Sequence, residues 1–212
     1  MTTGLAPMLK TERLVLRGWR ASDRSPFAAM GADPRVMRFL GPTLSRSASD
    51  ALVDRIEAHF AAYGFGLWAV EAPGIAELIG FVGLSTARFA SPFTPCVEIA
   101  WRLAGEHWGR GYATEAARAA LRFGFEQLAL AEILAFTTRE NRASRGVMQR
   151  LGMTRDPRDD FEHPALAPGD PLRPHVLYRL AMPTWRAHRS ELEPTSLRPG
   201  SDLSPRMPDR CV

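Results

Sequence analysis

Residues 107–116 read HWGRGYATEA, and no other stretch of the chain narrows its possible folds as much. Two glycines within three positions run straight into an alanine-rich helical pattern. Gly109 and Gly111 lack a Cβ, so the backbone there can take left-handed angles and let a ligand approach the main chain closely. The first N–H groups of a helix have no internal partner, and its N-terminus carries partial positive charge. A turn of this kind before Tyr112 therefore suits an anion, above all a phosphate, with Arg110 adding charge at the rim. The alternative is a tight strand-to-helix turn that needs glycine for geometry alone.

Two phosphate motifs fail here. A P-loop needs Lys followed by Ser or Thr after its last glycine, and Gly111 is followed by Tyr112 and Ala113. The dinucleotide fingerprint needs a third glycine where Thr114 stands, and a strand almost touching the first glycine, whereas Ala104 to Trp108 intervene.

The flanking pattern alternates strands and helices. Apolar and polar residues alternate over 12–19, as in a strand with one buried face. Helical patterns cover 23–30 and 48–63, the second stopped by Gly64. Apolar runs at 66–72 and 77–85, separated by Pro73 and Gly74, predict a hairpin, and 96–103 a further antiparallel strand. A helix over 112–128 buries Ala113, Ala116, Ala117, Ala120, Leu121, Gly124 and Leu128, residues small enough at its start to let it lie close on a sheet. A strand at 132–138, a helix capped by Asn141 and closed by Gly152, and a strand at 175–182 complete the order. Segment 165–174 reads as a proline-rich loop.

One domain is expected over residues 1–185. From residue 186 to 212 the chain is rich in Arg, Ser, Pro and Asp without apolar spacing, and is expected to be a disordered tail.

Charge and cysteine usage exclude several classes. The net charge is +4 and Lys10 is the only lysine, but the arginines are scattered rather than run together, which argues against a nucleic-acid partner. No run approaches the roughly 18 apolar residues of a membrane helix. Cys96 and Cys211 stand too far apart for a disulfide framework or a zinc site, and a reducing cytoplasm fits them. The acidic and imidazole groups of 158–164, with His175, lack close ligand spacing, so no metal is expected. His59, His107 and His188 read as structural or solvated, and Tyr63, Phe65 and Trp68 as core packing, the alternative being the lining of an acceptor pocket.

Residues 108–113, WGRGYA, resemble the Q/R-x-x-G-x-G/A loop of the GCN5-related N-acetyltransferases at Gly111 and Ala113, with Trp108 in place of the usual Gln or Arg. LKTERLVLR resembles the opening strand of the ribosomal-protein-alanine acetyltransferase-like branch, GYATEA its phosphate helix, and ENRASRGVMQRLGM its second cofactor helix. The resemblance covers about residues 9–182. It implies an α/β fold with a mixed, mostly antiparallel seven-stranded sheet, splayed between strand four (96–103) and strand five (132–138), with helices on both faces.

The resemblance also implies acetyl-CoA as co-substrate. Its diphosphate would rest on the N–H groups of Gly109, Arg110, Gly111, Tyr112, Ala113 and Thr114. Its pantetheine arm would run beside the main chain of Trp101, Arg102 and Leu103, with Asn141 contacting the arm as well as capping its helix. The reaction implied is direct attack of a primary amine in a ternary complex, the acceptor being a small molecule or a protein N-terminus. The protein is expected to be a monomer or homodimer.

Glu98 interrupts the apolar faces of its strand on the side opposite Val97, Ile99 and Trp101, which by resemblance borders the acceptor. A carboxylate there can serve as base if burial raises its pKa; the alternative is an ion pair with Arg102. The Trp101 N–H is the implied donor to the oxyanion. Where many members carry a tyrosine acid this chain has Met148, and Ser144, one turn earlier, is the candidate in its place. Phe161 and His163 are assigned to the substrate side. A catalytically silent acyl-CoA-binding module and a basic ribosome- or RNA-associated protein are the competing readings.

Overall fold

A computed structural model describes residues 6–192. In chain order the elements are β1 (Leu9–Lys10), β2 (Val15–Arg17), α1 (Arg24–Ala32), α2 (Pro34–Met37), α3 (Arg46–Tyr63), β3 (Leu67–Ala72), β4 (Ala76–Thr86), β5 (Val97–Leu103), α4 (Tyr112–Glu126), β6 (Glu132–Thr138), α5 (Arg142–Arg150), β7 (Phe161–Glu162), β8 (Pro174–Ala181) and α6 (Met182–Leu192).

The strands form one sheet in the order β1-β2-β3-β4-β5-β6-β8-β7. Each neighbouring pair is antiparallel except β5 and β6, which are parallel and share a single registered pair, Glu98 with Leu134. β4 and β5, by contrast, stay in register from Gly80–Leu103 to Thr86–Val97. The expected splay is therefore present, between β5 and β6.

Eight strands stand where seven were expected, because the ends of the sheet are more finely divided than an alternation pattern shows. Thr11 folds the first segment back: its N–H donates to the Leu14 carbonyl at 3.0 Å while its hydroxyl oxygen accepts from the Leu14 N–H at 3.0 Å. Leu9 then pairs with Leu16 as a separate strand. At the other edge, Phe161–Glu162 pairs with β8.

The two faces carry separate cores. Val70, Val82, Leu84, Ile99 and Leu103 point to the face covered by α4. Ala69 and Phe81, one position out of phase, meet Phe27, Met30 and Val53 of α1 and α3 on the other. α4 sits close because its inward residues are small: Ala116, Ala117 and Ala120 are fully enclosed. A Cβ at Gly124 would stand 2.7 Å from Ile133 Cδ1 and 2.9 Å from Leu84 Cδ1, so that helix position has no room for a side chain. α3 begins with Ser45 accepting from the Ala48 N–H and stops at Gly64 in the left-handed region, φ 74°.

A buried ion pair ties β2 to the start of α1. Arg17 donates from Nη1 and Nη2 to the two carboxylate oxygens of Asp23 at 2.7 and 2.9 Å, and from Nε to Glu71 Oε2 at 2.8 Å. The expected tail begins inside α6, which is helical to Leu192 and stacks Trp185 on Phe125 at 5.5 Å. Residues 193–212, including Cys211, lie outside the described residues.

Candidate active site

Where β5 and β6 part, a cavity of about 1080 Å³ opens through the sheet. Beyond Glu98 the register with β6 stops, and Ala100, Trp101, Arg102 and Leu103 border the cavity instead.

At one end stands the N-terminus of α4. Gly109 and Gly111 both lie in the left-handed region, at φ 74° and 80°, and Gly111 is the N-cap residue. Nothing lies within 4 Å of a Cβ built on Gly109, so glycine there answers to backbone angle and not to crowding. The loop is clamped from outside by Arg13, whose guanidinium donates to the Arg110 carbonyl at 3.0 Å and pairs with Glu115 at 2.6 Å. Gly109, Gly111, Tyr112, Ala113 and Thr114 border the cavity, whereas the Arg110 side chain does not. Arg142 and Arg150 of α5 also face it, and Arg150 Nε donates to Thr114 Oγ1 at 3.4 Å. Neither arginine was singled out in the sequence, since they come to α4 only through the packing of two separate helices.

Asn141 caps α5: its Oδ1 accepts from the Ser144 N–H at 3.2 Å and its Nδ2 donates to Thr137 Oγ1 at 3.0 Å. Asn141 and Ser144 both line the cavity. Met148 lines it too and is almost wholly buried.

On the opposite face of β5, Glu98 and Arg102 share one side. Ser85, across the β4–β5 register from Glu98, donates its hydroxyl to Oε1 at 3.0 Å. Burial pushes the Glu98 carboxyl up to about 7, against a small opposing pull from that hydrogen bond. The alternative ion pair with Arg102 is not formed among the described residues. Arg102 lies over the rings of Phe81 and Phe27, 5.4 and 5.9 Å from their centroids, and burial draws it down to about 10. Its guanidinium thus faces the α1 side rather than the run of main chain that the resemblance assigned to the pantetheine arm.

This end is closed by two groups. One is α2 and its following turn, with Arg35, Val36, Arg38, Phe39 and Leu40. Its sequence signal was Asp33-Pro34: Asp33 accepts from the Arg35 N–H, and proline occupies the first helical turn. The other group is His163, Leu166, Leu172 and His175. The two imidazoles lie 4.9 Å apart, both held below the usual histidine range by burial. Phe161 does not border the cavity. It packs behind His163 against Phe93 and Phe136, at 4.9 and 5.7 Å.

Of the other aromatic and histidine residues, His107 borders the cavity, Tyr63 is 54% exposed rather than packed in the core, and Trp68 and His59 are structural. Trp68 is fully buried, and His59 holds the Phe65 carbonyl through Nδ1 at 2.8 Å while Nε2 accepts from the Thr86 N–H at 3.3 Å. Among the described residues, no group of three His, Cys, Asp or Glu side chains could hold a metal, and no helix is long and apolar enough to cross a membrane.

A parallel pair opened after one rung and a helix start bared by left-handed glycines are thus joined by one cavity to the partly buried carboxylate of Glu98. A family model described as "Acetyltransferase (GNAT) domain" matches residues 13–154, and the chain belongs to that family. It is 33% identical over 161 residues to the "FsC-acetyl coenzyme A-N(2)-transacetylase" of Aspergillus fumigatus, covering 73% of this chain and 68% of that protein. The crystal structure of an acetyltransferase from Agrobacterium tumefaciens C58 is similar at TM-score 0.66 and 31% identity, over 82% of this chain and 94% of that one. Mycobacterium smegmatis RimJ, solved in complex with CoA-disulfide, shares the fold at TM-score 0.67 and 18% identity, over 89% and 98% of the two chains.

Proposed function

We propose that this protein transfers the acetyl group of acetyl-CoA to a primary amine by direct attack within a ternary complex. The observation that carries the reading is the position of Glu98. It stands at the last rung between β5 and β6, in the cavity that also reaches the glycine-opened start of α4.

The residues present fit the coenzyme. Gly109 and Gly111 are left-handed and lead into the first turn of α4, whose N–H groups from Tyr112 to Thr114 have no partner earlier in the helix, and Arg142 and Arg150 supply nearby positive charge for phosphate. When bound, acetyl-CoA supplies an activated thioester; the rest of the chemistry falls to side chains and main chain.

Glu98, with a pKa near neutrality, takes the proton from the incoming ammonium so that a neutral amine is presented. The Trp101 N–H is assigned to the developing oxyanion, and Ser144 to relaying the proton shed by the attacking nitrogen to the leaving sulfur, its own hydroxyl being restored in the same transfer. Holding amine and thioester together contributes several kcal/mol on its own, about 7 or more in well-oriented systems. The acceptor is a small molecule or a protein N-terminus, held between α2 and the His163 side of the cavity.

The test is calorimetric titration with coenzyme A, followed by thiol release from acetyl-CoA against a panel of amines. Binding plus amine-dependent thiol release supports the assignment; absence of heat at millimolar coenzyme A overturns it. Met148, buried at the position of the usual tyrosine acid, favours one competing reading, an acyl-CoA-binding module without turnover. Coenzyme binding with no thiol release across the panel would select it.

A further inference from the structure

Two arginines of this fold, Arg17 fully buried and Arg102 partly so, are treated in opposite ways. Arg17 is met by two carboxylates and the Glu77 carbonyl. Arg102 has no such company: its Nε and Nη1 are shielded from solvent and find no hydrogen-bond partner among the described residues, and its neighbours are the faces of Phe27 and Phe81. Ring faces offset part of a cation's charge but accept none of the guanidinium's directional bonds. Withdrawing a cation from water with no anion to meet it is unfavourable.

Glu98 shares that face of β5, four residues away, and both side chains border the same cavity. Neither meets the other. Among the described residues the Glu98 side chain is bonded to Ser85 alone, and each group responds to loss of water rather than to its neighbour's charge. The cavity wall therefore presents a carboxylate and a guanidinium in one line, each lacking an ionic partner, with Arg38 on the facing segment.

We infer that the acceptor is a small amino-carboxylate, whose amine is received at Glu98 and whose carboxylate is received by Arg102. This rests on the acetyltransferase reading and specifies its substrate class. One molecule carrying both charges offsets both uncompensated groups, whereas a simple amine would leave Arg102 as it is. The carboxylate–guanidinium contact is charge-assisted and is made through Nη2, the guanidinium nitrogen that is not shielded, which makes it selective against a neutral amide of the same shape.

The test uses the full chain loaded with coenzyme A. Binding and turnover are measured for a series of amino acids with increasing amine-to-carboxylate spacing, each beside its carboxamide. The expected result is a preference of about 10- to 100-fold for the carboxylate member at the best spacing. R102M and R102Q should abolish that preference while leaving coenzyme A affinity and carboxamide binding within about twofold. R102M should also keep or raise the melting temperature, since it removes an unpaired, partly buried charge; a purely structural Arg102 would lower it. Equal binding of carboxylate and carboxamide by the wild-type protein, or preference surviving in R102Q, overturns the inference. Carboxylate-selective binding without any acetyl transfer would leave it standing and overturn the acetyltransferase reading instead.

Discussion

Ser85 and Glu98 face one another across the β4–β5 register, and the serine hydroxyl donates to Glu98 Oε1 at 3.0 Å. Their positions make Glu98 a titrating group near neutral pH, and Ser85 the residue that keeps it from rising further.

If Glu98 is the base, kcat/KM for acetyl transfer should climb through a pH of about 7 and level off above it. E98Q should lower the plateau by about 100-fold or more while leaving coenzyme A affinity unchanged. S85A, which removes the hydrogen bond favouring the ionised form, should move the inflection upward. A profile unchanged in both variants would remove Glu98 from the chemistry.

The same group makes a stability prediction. Its folded pKa lies above the ordinary 4.5, so between 4.5 and about 7 the folded chain keeps a proton the unfolded chain has lost. Stability from this source is complete at low pH and drains away as pH rises, by roughly 3 kcal/mol. E98Q should therefore raise the melting temperature at pH 8 more than at pH 5, measured by scanning calorimetry.

At the start of α4, G109A and G111A should each cost about 1–2 kcal/mol, since both residues sit at positive φ. The two should cost alike, because a Cβ at Gly111 meets only the end of the Arg13 side chain, at 3.4 Å, and one at Gly109 meets nothing. Both should weaken coenzyme A binding in calorimetry, and G109N, able to adopt left-handed angles, should recover most of the stability.

For thiolate protonation, S144A should reduce kcat by at least about tenfold with little change in coenzyme A affinity. N141A should behave differently. It removes the cap from α5 and should cost about 1 kcal/mol in chemical denaturation whatever its effect on catalysis.

The buried Arg17–Asp23 pair supplies a contrast to the site. D23A takes one of two carboxylates from a guanidinium that is 3% exposed, leaving Glu71, and should destabilise by about 3 kcal/mol, read from urea midpoints. Acetyl transfer by the remaining folded protein should be unchanged.

Much of this was legible in the chain because it is local. β6 occupies 132–138 as its apolar run predicts, α4 begins at Tyr112 directly after its glycines, and Asn141 caps α5 as expected. β7 escaped notice because two residues make a strand only by pairing with β8, a distant partner. α2 carried its Asp33-Pro34 signal, but four residues are too few for periodicity to speak. Which side of the cavity Arg102 addresses, and that no carboxylate meets it there, depends on what α1 and β4 place above it. No spacing along β5 encodes that.

With one rung joining β5 to β6, the sheet is two leaves, β1–β5 and β6–β8, bound along a nearly unstitched spine. A molecule lying in that spine fastens leaf to leaf, so occupancy and mechanical cohesion become one quantity. If acetyl-CoA lies along that spine as proposed, resistance to heat or protease should grow with every increment of bound coenzyme.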